Sequence, residues 1–425
     1  MGCFQLKVIF ATCFLKTNFI STTKNFTMNL KKVRQETPHC LTQIHLNNAG
    51  ASLPPTVVTR AMTEYLEKEA EIGGYEIAEL RQNALLAFYD EAAKLLNTNA
   101  LNIALAGSAT DAYNKALSSI PFKKGDVILT TDDDYISNQI TFLSLQKRLG
   151  VEIIRGGNRP AGDLDLINFK QLMLKHKPVL VAVTHIPTNS GLIQPVEAVG
   201  KMCRELNIWY LVDACQSMGQ IAVDVQKIQC DFLTATARKF LRGPRGIGFL
   251  YASDRVLAAG LEPLFLDMSG ADWVADNEYR TKPSAKRFEL WENASANVIG
   301  LAEALRYLNQ FNINEIERVN VQNGAMMRQL LNKIEGVRVL DQGVRLGSIV
   351  TFAVEGIKPE TMKALLKQHN LNFSMSFRHF ALLDYNKKEV DWAIRFSPHY
   401  YNTQAELETA AKAVQLALES RFANA

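Results

Sequence analysis

The sequence contains few cysteines, and a long part of it contains none. Its 425 residues include six, at positions 3, 13, 40, 203, 215 and 230. No two of them have the CxxC or other spacing typical of a metal site, and their scatter argues against a disulfide framework. Because this usage is typical of a reducing compartment, we expect a cytoplasmic protein without a metal site. From Asp231 to Ala425 there is no thiol.

Long apolar runs and strong charge are also missing. No apolar stretch reaches the roughly 18 residues that a membrane span needs. The net charge of +4 is small for this length, and no basic run with interleaved aromatic residues is present. We therefore expect neither a membrane nor a nucleic acid as a partner. Charged residues at 21% and hydrophobic residues at 47% are typical of a globular protein.

The length exceeds that of a usual single domain, which predicts two domains. We expect a large domain over residues 28–298 and a small C-terminal domain over residues 299–425. Residues 1–27 differ from the rest, with a short apolar run from Val8 to Leu15 that no clear cleavage site follows. We interpret them as an extension ahead of a start at Met28, with a targeting segment or a poorly ordered tail as alternatives.

The most informative stretch begins with an apolar run, Ile208 to Val212, that stops at Asp213. Such a run is typical of a buried parallel strand, and ligands bind at the carboxyl ends of such strands. A second run, from Phe232 to Ala237, is followed by Arg238 and Lys239, and a third strand is predicted from Ile247 to Tyr251. We expect the three strand ends to meet at one rim.

A buried acid and a lysine on one rim fit the chemistry of pyridoxal phosphate (PLP). A lysine amine can form a Schiff base with the cofactor's aldehyde, and an acid that faces the pyridinium nitrogen keeps the ring protonated as an electron sink. Taken singly, Asp213 could cap a helix and Lys239 could be a solvated surface lysine. The pair, together with the Gly-Pro-Arg-Gly turn after it, favours the cofactor.

A phosphate site is predicted where the strand that begins at Ile103 leads through a turn of small residues into a helix. Ser108, Ala109 and Thr110 form this turn. A helix N-terminus offers unpaired N–H groups and the positive end of the helix dipole, both of which stabilise phosphate. The alternative is an ordinary helix cap without a ligand.

Three segments, Val212–Gln216, Thr236–Phe240 and Gly243–Gly248, resemble the signature of the class V aminotransferase family. This family consists of fold-type I PLP enzymes and includes the cysteine desulfurases. The likeness extends from about Leu46 to Glu408. Residues 69–75 together with Arg238 are more particularly similar to the ergothioneine-pathway C–S lyases and to isopenicillin-N-epimerase-like sequences.

The resemblance implies an α/β fold, with a mostly parallel sheet in the large domain and a smaller α+β C-terminal domain. It also implies a homodimer that binds PLP and acts on an amino acid. In the small domain we expect amphipathic helices and short strands. The helices are predicted around residues 314–333, 358–369 and 404–421, and the strands near residues 348–354 and 393–397.

The resemblance also implies roles around the cofactor. Lys239 carries the cofactor and acts as the base at Cα, and Asp213 faces the pyridinium nitrogen. Tyr135 stacks on the ring at a position where the desulfurases commonly have histidine. Gln216 bonds the phenolic oxygen. Ser108, Ala109, Thr110, Thr236 and Arg238 bind the phosphate.

On the substrate side, the resemblance assigns the α-carboxylate to Arg395 in the C-terminal motif. Asn48 lies in the opening segment, which is near the active site in the family. Either Thr188 or Asn189 contacts the cofactor O3′ or the substrate carboxylate, and the spacing leaves both open.

The sequence departs from the family after Glu289. Where the family has a Gly-Thr pair that reaches the partner subunit's phosphate, this chain has Trp291-Glu292-Asn293. Asn293 and Ser295 are the candidates for that role.

The favoured function is a C–S lyase that acts on a cysteine-type substrate by β-elimination. An aminotransferase or epimerase of the same family is one alternative, and a catalytically silent binding protein of this fold is another. The desulfurases store sulfur on a mobile cysteine in a loop of the small domain. Here the corresponding residues, Phe373 to His379, contain no cysteine. We therefore expect sulfur to be released freely.

Overall fold

A computed structural model of the chain describes residues 28–423. The predictions for residues 1–27 lie outside the described part. Within residues 28–423, no helix combines the length and the apolar character that a membrane crossing requires.

The described strands and helices are as follows. The strands are β1 (Ile44–His45), β2 (Ile103–Ala106), β3 (Val127–Thr131), β4 (Glu152–Gly156), β5 (Leu180–Thr184), β6 (Trp209–Asp213), β7 (Phe232–Thr236), β8 (Gly248–Ala252), β9 (Ala271–Ala275), β10 (Glu278–Thr281), β11 (Val337–Val339), β12 (Val350–Val354), β13 (Leu371–Asn372), β14 (Ser374–Phe377) and β15 (Trp392–Phe396). The α-helices are α1 (Leu30–Gln35), α2 (Thr56–Ile72), α3 (Gly74–Leu80), α4 (Gln82–Leu96), α5 (Ala109–Ser119), α6 (Ile136–Leu149), α7 (Leu166–His176), α8 (Val196–Glu205), α9 (Val225–Ile228), α10 (Asp254–Ala258), α11 (Ser295–Leu308), α12 (Ile313–Leu331), α13 (Pro359–Lys367), α14 (Leu382–Lys388) and α15 (Gln404–Ala423).

The centre of the molecule is a seven-stranded sheet in the order β2-β8-β7-β6-β5-β3-β4. The pairs from β7 to β4 are parallel, whereas β8 runs antiparallel to both of its neighbours. Successive residues of β6 alternate between two apolar clusters, with Tyr210 and Val212 on one face and Leu211 on the other. Both faces are therefore covered, which explains the continuous apolar run in the sequence. The predicted α/β fold with a mostly parallel sheet is confirmed.

Helices cover the sheet on both sides. Apolar residues of α4, α7, α8 and α11 pack on one face, and those of α5, α6 and α10 pack on the other. The predicted domain boundary at 298/299 falls inside α11, whose residues Leu301 and Leu305 belong to the core of the central sheet. The separate C-terminal core takes Leu46 from the N-terminal segment, and its next buried residue is Met327, near the end of α12.

A second, antiparallel sheet has the order β11-β12-β15-β14 and packs against α12, α13 and α15. The predicted strands near 348–354 and 393–397 correspond to β12 and β15, whereas β11, β13 and β14 were not predicted. These three have at most four residues, too few for a recognisable alternation. The N-terminal segment joins this part, because β1 pairs in parallel with β13 and Asn47 bridges to Ser397.

Candidate active site

The carboxyl ends of the parallel strands bring the predicted cofactor residues into one pocket. The residues predicted to bind the cofactor all line it, and they are Ser108, Ala109, Thr110, Tyr135, Asp213, Gln216, Thr236, Arg238 and Lys239. The third predicted strand contributes differently from the expectation. Because β8 is antiparallel, its beginning, preceded by Gly246 and Ile247, reaches the rim.

Asp213, the last residue of β6, is buried at the base of this pocket with its carboxylate held from two sides. Its Oδ1 accepts a hydrogen bond from the backbone N–H of Cys215 at 2.9 Å, and its Oδ2 accepts one from Asn138 Nδ2 at 3.2 Å. The carboxylate therefore has a fixed orientation.

Asn138 was not predicted from the sequence, yet it connects two acids. Its Nδ2 also lies 2.9 Å from Oδ1 of the buried Asp134, and the same Oδ1 accepts the backbone N–H of Tyr135 at 2.7 Å. The network thus joins the backbone of the predicted stacking residue to the carboxylate of Asp213. A signal existed in the sequence, because Asn138 follows Tyr135 by three residues and lies one turn away on α6.

Lys239 is buried, and its Nζ lies 5.8 Å from the centre of the Tyr135 ring. Burial lowers the pKa of this amine, and the nearby Arg238 and Arg395 act in the same direction, against Cys215 and Asp213. A lysine of this kind gives up its proton more readily than an exposed one, which suits a nucleophile or a base.

The predicted phosphate site lies at the N-terminus of α5. Ser108 is the cap residue, and its Oγ accepts the backbone N–H of Asp111 at 3.0 Å. Strand β8 passes close by, since a Cβ atom at Gly248 would lie 2.9 Å from the Ala109 backbone nitrogen. The backbone N–H groups of Ala109 and Thr110 have no partner within the helix and are available to an anion.

Arg395, on β15, is buried next to this pocket. Its Nη1 donates to the carbonyl oxygen of Thr188 at 3.1 Å and to Thr188 Oγ1 at 2.6 Å, while its buried Nε has no partner among the described residues. Burial lowers the pKa of this guanidinium to about 10. Its remaining donor capacity suits a carboxylate, which can accept two parallel hydrogen bonds.

The other residues predicted to contact the substrate, Thr188, Asn189 and Asn48, have different surroundings. Thr188 lines the pocket, whereas Asn189 points its amide to Asp384 at 2.6 Å, so the geometry favours Thr188. Asn48 is fully buried and bonds Ser397 and Tyr401, and its contact with the substrate stays a prediction. Its neighbour Asn47 is the residue whose Oδ1 lies 3.5 Å from Arg395 Nη2.

The amide of Gln216 also differs from the expectation. Its Nε2 donates to Ala49 O at 3.1 Å and to Thr188 Oγ1 at 3.0 Å, so both amide hydrogens are already used. The predicted bond to a phenolic oxygen therefore requires one of these two partners to be exchanged. Its Oε1 is buried without a partner among the described residues.

Cys215 lines the pocket between Asp213 and Gln216. Burial raises the pKa of its thiol well above the usual range, and the carboxylate of Asp213 raises it further. The thiol is therefore protonated at neutral pH and a poor nucleophile.

The two candidates for the partner-subunit contact lie at the start of α11. Ser295 is its first residue, and Asn293 Nδ2 donates to the carbonyl oxygen of Leu290 at 2.7 Å. Asn293 lines a small cavity that shares Gly246 and Ile247 with the main pocket. Glu289 is used within the chain, since it accepts hydrogen bonds from Tyr89 and from the backbone N–H of Leu105.

The residues of the pocket fit PLP. Lys239, Arg238 and Arg395 are close enough for each to influence the pKa of another, and Asp213 is the one carboxylate among the described lining residues. Such an excess of positive charge, with Lys239 and Arg395 buried, is costly unless an anion occupies the pocket. PLP with an amino acid offers a phosphate for the α5 terminus and a carboxylate for Arg395, while its pyridinium nitrogen suits Asp213.

Comparison with known proteins identifies the family. The sequence model for class V aminotransferases matches residues 44–409. A probable cysteine desulfurase of Pyrococcus abyssi is 30% identical over 89% of this chain and 94% of its own length. One of Methanothermobacter thermautotrophicus is 26% identical over 91% of this chain and 98% of its own.

A solved structure agrees with these matches. The apo structure of a cysteine desulfurase from Thermococcus onnurineus NA1 has a TM-score of 0.85 and 26% identity, and the match covers 93% of this chain and 100% of that chain. The predicted family and cofactor are thus confirmed: the chain belongs to the class V aminotransferase family and is a PLP-dependent enzyme.

Proposed function

We propose that this enzyme is a C–S lyase that removes the sulfur substituent of a cysteine-type amino acid by β-elimination. One observation carries the proposal. The pocket contains a buried lysine and lies next to a buried arginine suited to a carboxylate, but Cys215 is the only thiol among its described lining residues. A desulfurase needs a thiolate that can reach the substrate's sulfur.

The chain's own residues hold the amino acid and move its proton. When bound, PLP supplies an aldehyde for the amino group and a ring that withdraws the electrons of a broken bond at Cα. Arg395 binds the α-carboxylate in a bidentate manner and so fixes the direction of the Cα–H bond. Lys239, whose pKa is lowered by burial, takes the Cα proton. Asp213, held by Asn138 and Cys215, stabilises positive charge on the pyridinium nitrogen.

Elimination balances without a further reactant other than water. The Cα–H and Cβ–S bonds break, and sulfur leaves with the bonding electrons and a proton as a free thiol or as sulfide. The three-carbon remainder is released and hydrolysed to pyruvate and ammonia. Neither an oxidant nor a reductant is required.

The position and protonation of Cys215 support the release of sulfur as a free thiol or sulfide. Its backbone N–H bonds the carboxylate of Asp213 at 2.9 Å, and its thiol is kept protonated. In the C-terminal sheet, β14 pairs with β15 so that Ser374 lies opposite Arg395, and the strand consists of Ser, Met, Ser and Phe. None of these side chains can form a persulfide.

The decisive experiment incubates the purified holoenzyme with cysteine and with cysteine S-conjugates. Pyruvate, ammonia and thiol or sulfide should form in equal amounts, and the intact protein mass should remain unchanged. Alanine formed together with a protein mass increased by one sulfur atom would establish a desulfurase instead. Conversion to another keto acid with amino transfer, or racemisation without cleavage, would establish an aminotransferase or an epimerase.

A homodimer is the second part of the proposal. Large apolar side chains are exposed around the β9–β10 hairpin, including Phe265 at 83% and Trp273 at 81%. Such patches mark interaction sites, and two-fold assemblies are the commonest. Sedimentation should give twice the chain mass, and Trp273→Asp should weaken the dimer. A fully active monomer would contradict the proposal.

The third part concerns location. The cytoplasmic location expected from the sequence is supported by the four described cysteines, which are all free. Cell fractionation tests it.

A further inference from the structure

A second cavity of about 610 Å³ opens between the N-terminal segment and the C-terminal sheet. We call it the side groove and define it by Asn47, Ala51, Lys363, Lys367, Phe373 and Met375, which line it. None of these residues has a role in the lyase chemistry described above. A cavity of this size can hold a substantial ligand group.

The side groove begins where the substrate's carboxylate is held. Asn47 lines the groove, and its Oδ1 lies 3.5 Å from Nη2 of Arg395. Ser374, another lining residue, is directly opposite Arg395 in the antiparallel pairing of β14 and β15. Residues directly opposite each other on antiparallel strands face the same side of the sheet. Asn47 and Ser374 therefore place one end of the groove beside Arg395.

The wall of the groove contains apolar residues, and its rim is cationic. Leu371 is buried, and Phe373 and Met375 are half-buried against the C-terminal core. At the rim, Lys363 and Lys367 lie one turn apart on α13 and are exposed.

The charge of the groove is positive because its other ionisable groups do not balance the lysines. Glu360 is the one carboxylate among the described lining residues. Burial lowers the pKa of His45 to about 4, and both its ring nitrogens are bonded, to Ala51 O at 2.9 Å and to Asn372 Nδ2 at 3.1 Å. His45 is therefore neutral at pH 7.

We infer that the side groove binds the substituent on the substrate's sulfur, and that this substituent is an apolar chain ending in an anionic group. The apolar wall accepts the chain, and Lys363 and Lys367 attract the terminal charge. The preferred substrates are then cysteine S-conjugates that carry a second acid, rather than free cysteine. This inference rests on the proposed lyase function, because that function is what identifies the atom bonded to Cβ as sulfur.

The first test uses ligands that have no sulfur to lose, so that it does not depend on C–S cleavage. Straight-chain α-amino dicarboxylic acids of increasing length are compared with their terminal amides for binding to the holoenzyme. Binding is followed through the visible absorption of the cofactor. We expect the acid to bind about fivefold more tightly than its amide at the length that reaches the lysines, as two exposed ion pairs allow. This preference should fall as salt is added.

The second test changes the lysines. In Lys363→Gln/Lys367→Gln, the acid-to-amide ratio should fall to about one, as expected when two exposed ion pairs are lost. The matched control is Lys227→Gln/Lys412→Gln, which removes the same charge from exposed sites elsewhere and should keep the wild-type ratio. The same ratios should appear in kcat/KM for S-carboxyalkyl and S-carbamoylalkyl cysteines.

The outcomes separate the two proposals. Equal binding of acid and amide at every length, or a preference that survives the lysine double variant, would overturn the role of the groove. A preference in binding that the lysine variant removes, without release of thiol from any conjugate, would support the groove and reject the lyase function.

Discussion

The buried Arg242 differs from the buried cations of the active site in how its hydrogen-bond donors are used. Arg242, three residues after Lys239, is buried with every nitrogen bonded, Nε to Leu53 O at 2.9 Å, Nη1 to the Tyr400 hydroxyl at 2.7 Å and Nη2 to Thr37 Oγ1. In the active site, Arg395 Nε has no partner among the described residues, and burial lowers the pKa of Lys239.

Aromatic rings strengthen this contrast. The guanidinium carbon of Arg242 lies 4.7 Å from the ring centre of Tyr401, 5.3 Å from that of Tyr400 and 5.7 Å from that of Tyr307. Burial alone would lower the pKa of Arg242, but these tyrosines raise it overall. A buried cation that is fully bonded stabilises the fold, whereas one with unused donors indicates where an anion binds.

The largest effect is expected from Lys239→Ala. Removal of the amine takes away both the covalent attachment of PLP and the base at Cα, so activity should fall by about a thousandfold or more. The visible absorption of bound cofactor should change with it, while the circular dichroism remains that of a folded protein. Wild-type turnover in this variant would refute the assignment of the pocket.

Arg242→Met should produce the opposite pattern. The variant loses three hydrogen bonds to buried groups and the contacts with three rings, so the free energy of unfolding should fall by about 3 kcal/mol. Activity per folded, cofactor-loaded molecule should fall only severalfold. Chemical denaturation and turnover measured on the same preparation check this. A large loss of activity without loss of stability would show that Arg242 serves the reaction and not the fold.

Arg242 also shows what the sequence could not predict. Its partners are Thr37, Leu53 and Tyr400, up to 205 residues away in the chain. No local pattern connects such positions. The same holds for Asn189, whose partner Asp384 lies on α14, and for the pairing of β1 with β13.

Much of the pocket could be predicted because its residues follow strands or begin helices. Asp213 and Lys239 follow apolar runs, and Ser108 precedes an amphipathic helix, so the general rules for strand ends and helix termini bring them together. The sequence does not show that the side chains of two adjacent asparagines, Asn47 and Asn48, point in different directions. Asn47 faces Arg395, and Asn48 is buried.

A third prediction tests the unused donors of the pocket. In Arg395→Gln, the loss of charged hydrogen bonds to the α-carboxylate should lower kcat/KM by about a hundredfold. Stability should change little, in contrast to Arg242→Met. Amines without a carboxylate should bind the variant as they bind the wild type, and the control Arg148→Gln, at an exposed arginine near the end of α6, should behave as wild type. An equal loss for amines and amino acids would assign Arg395 a purely structural role.

The fourth prediction concerns the cost of burying Lys239. Burial lowers the pKa of its amine in the folded, cofactor-free protein, so the unfolded chain holds this proton more tightly. Stability should therefore rise as the pH increases from the lowered pKa toward the ordinary lysine value of about 10.4. Lys239→Met should unfold at higher denaturant than the wild type at pH 7, and the rise with pH should become smaller. A less stable variant would show that neighbouring groups already offset the free-energy cost of burying the Lys239 cation.

The smallest effect is expected from Cys215→Ser. Serine keeps a hydrogen-bond donor beside Asp213 and nearly the same volume, and the replaced thiol is kept protonated by burial and by that carboxylate. Because the proposed elimination uses no thiol of the enzyme, kcat/KM and the release of sulfide or thiol should stay within about twofold of wild type, inside the range of conservative core changes.

The contrast with a thiol-dependent reaction makes this small effect informative. If Cys215 accepted sulfur from the substrate, the serine variant would lack the acceptor, and turnover would stop even though PLP and substrate still bind. Thiol release and cofactor absorption measured on the same sample distinguish the two cases. Arrested turnover with a normal cofactor spectrum would show that Cys215, beside Asp213, accepts the sulfur. Unchanged turnover would show that the reaction needs no thiol of the enzyme and depends on Lys239 and Arg395.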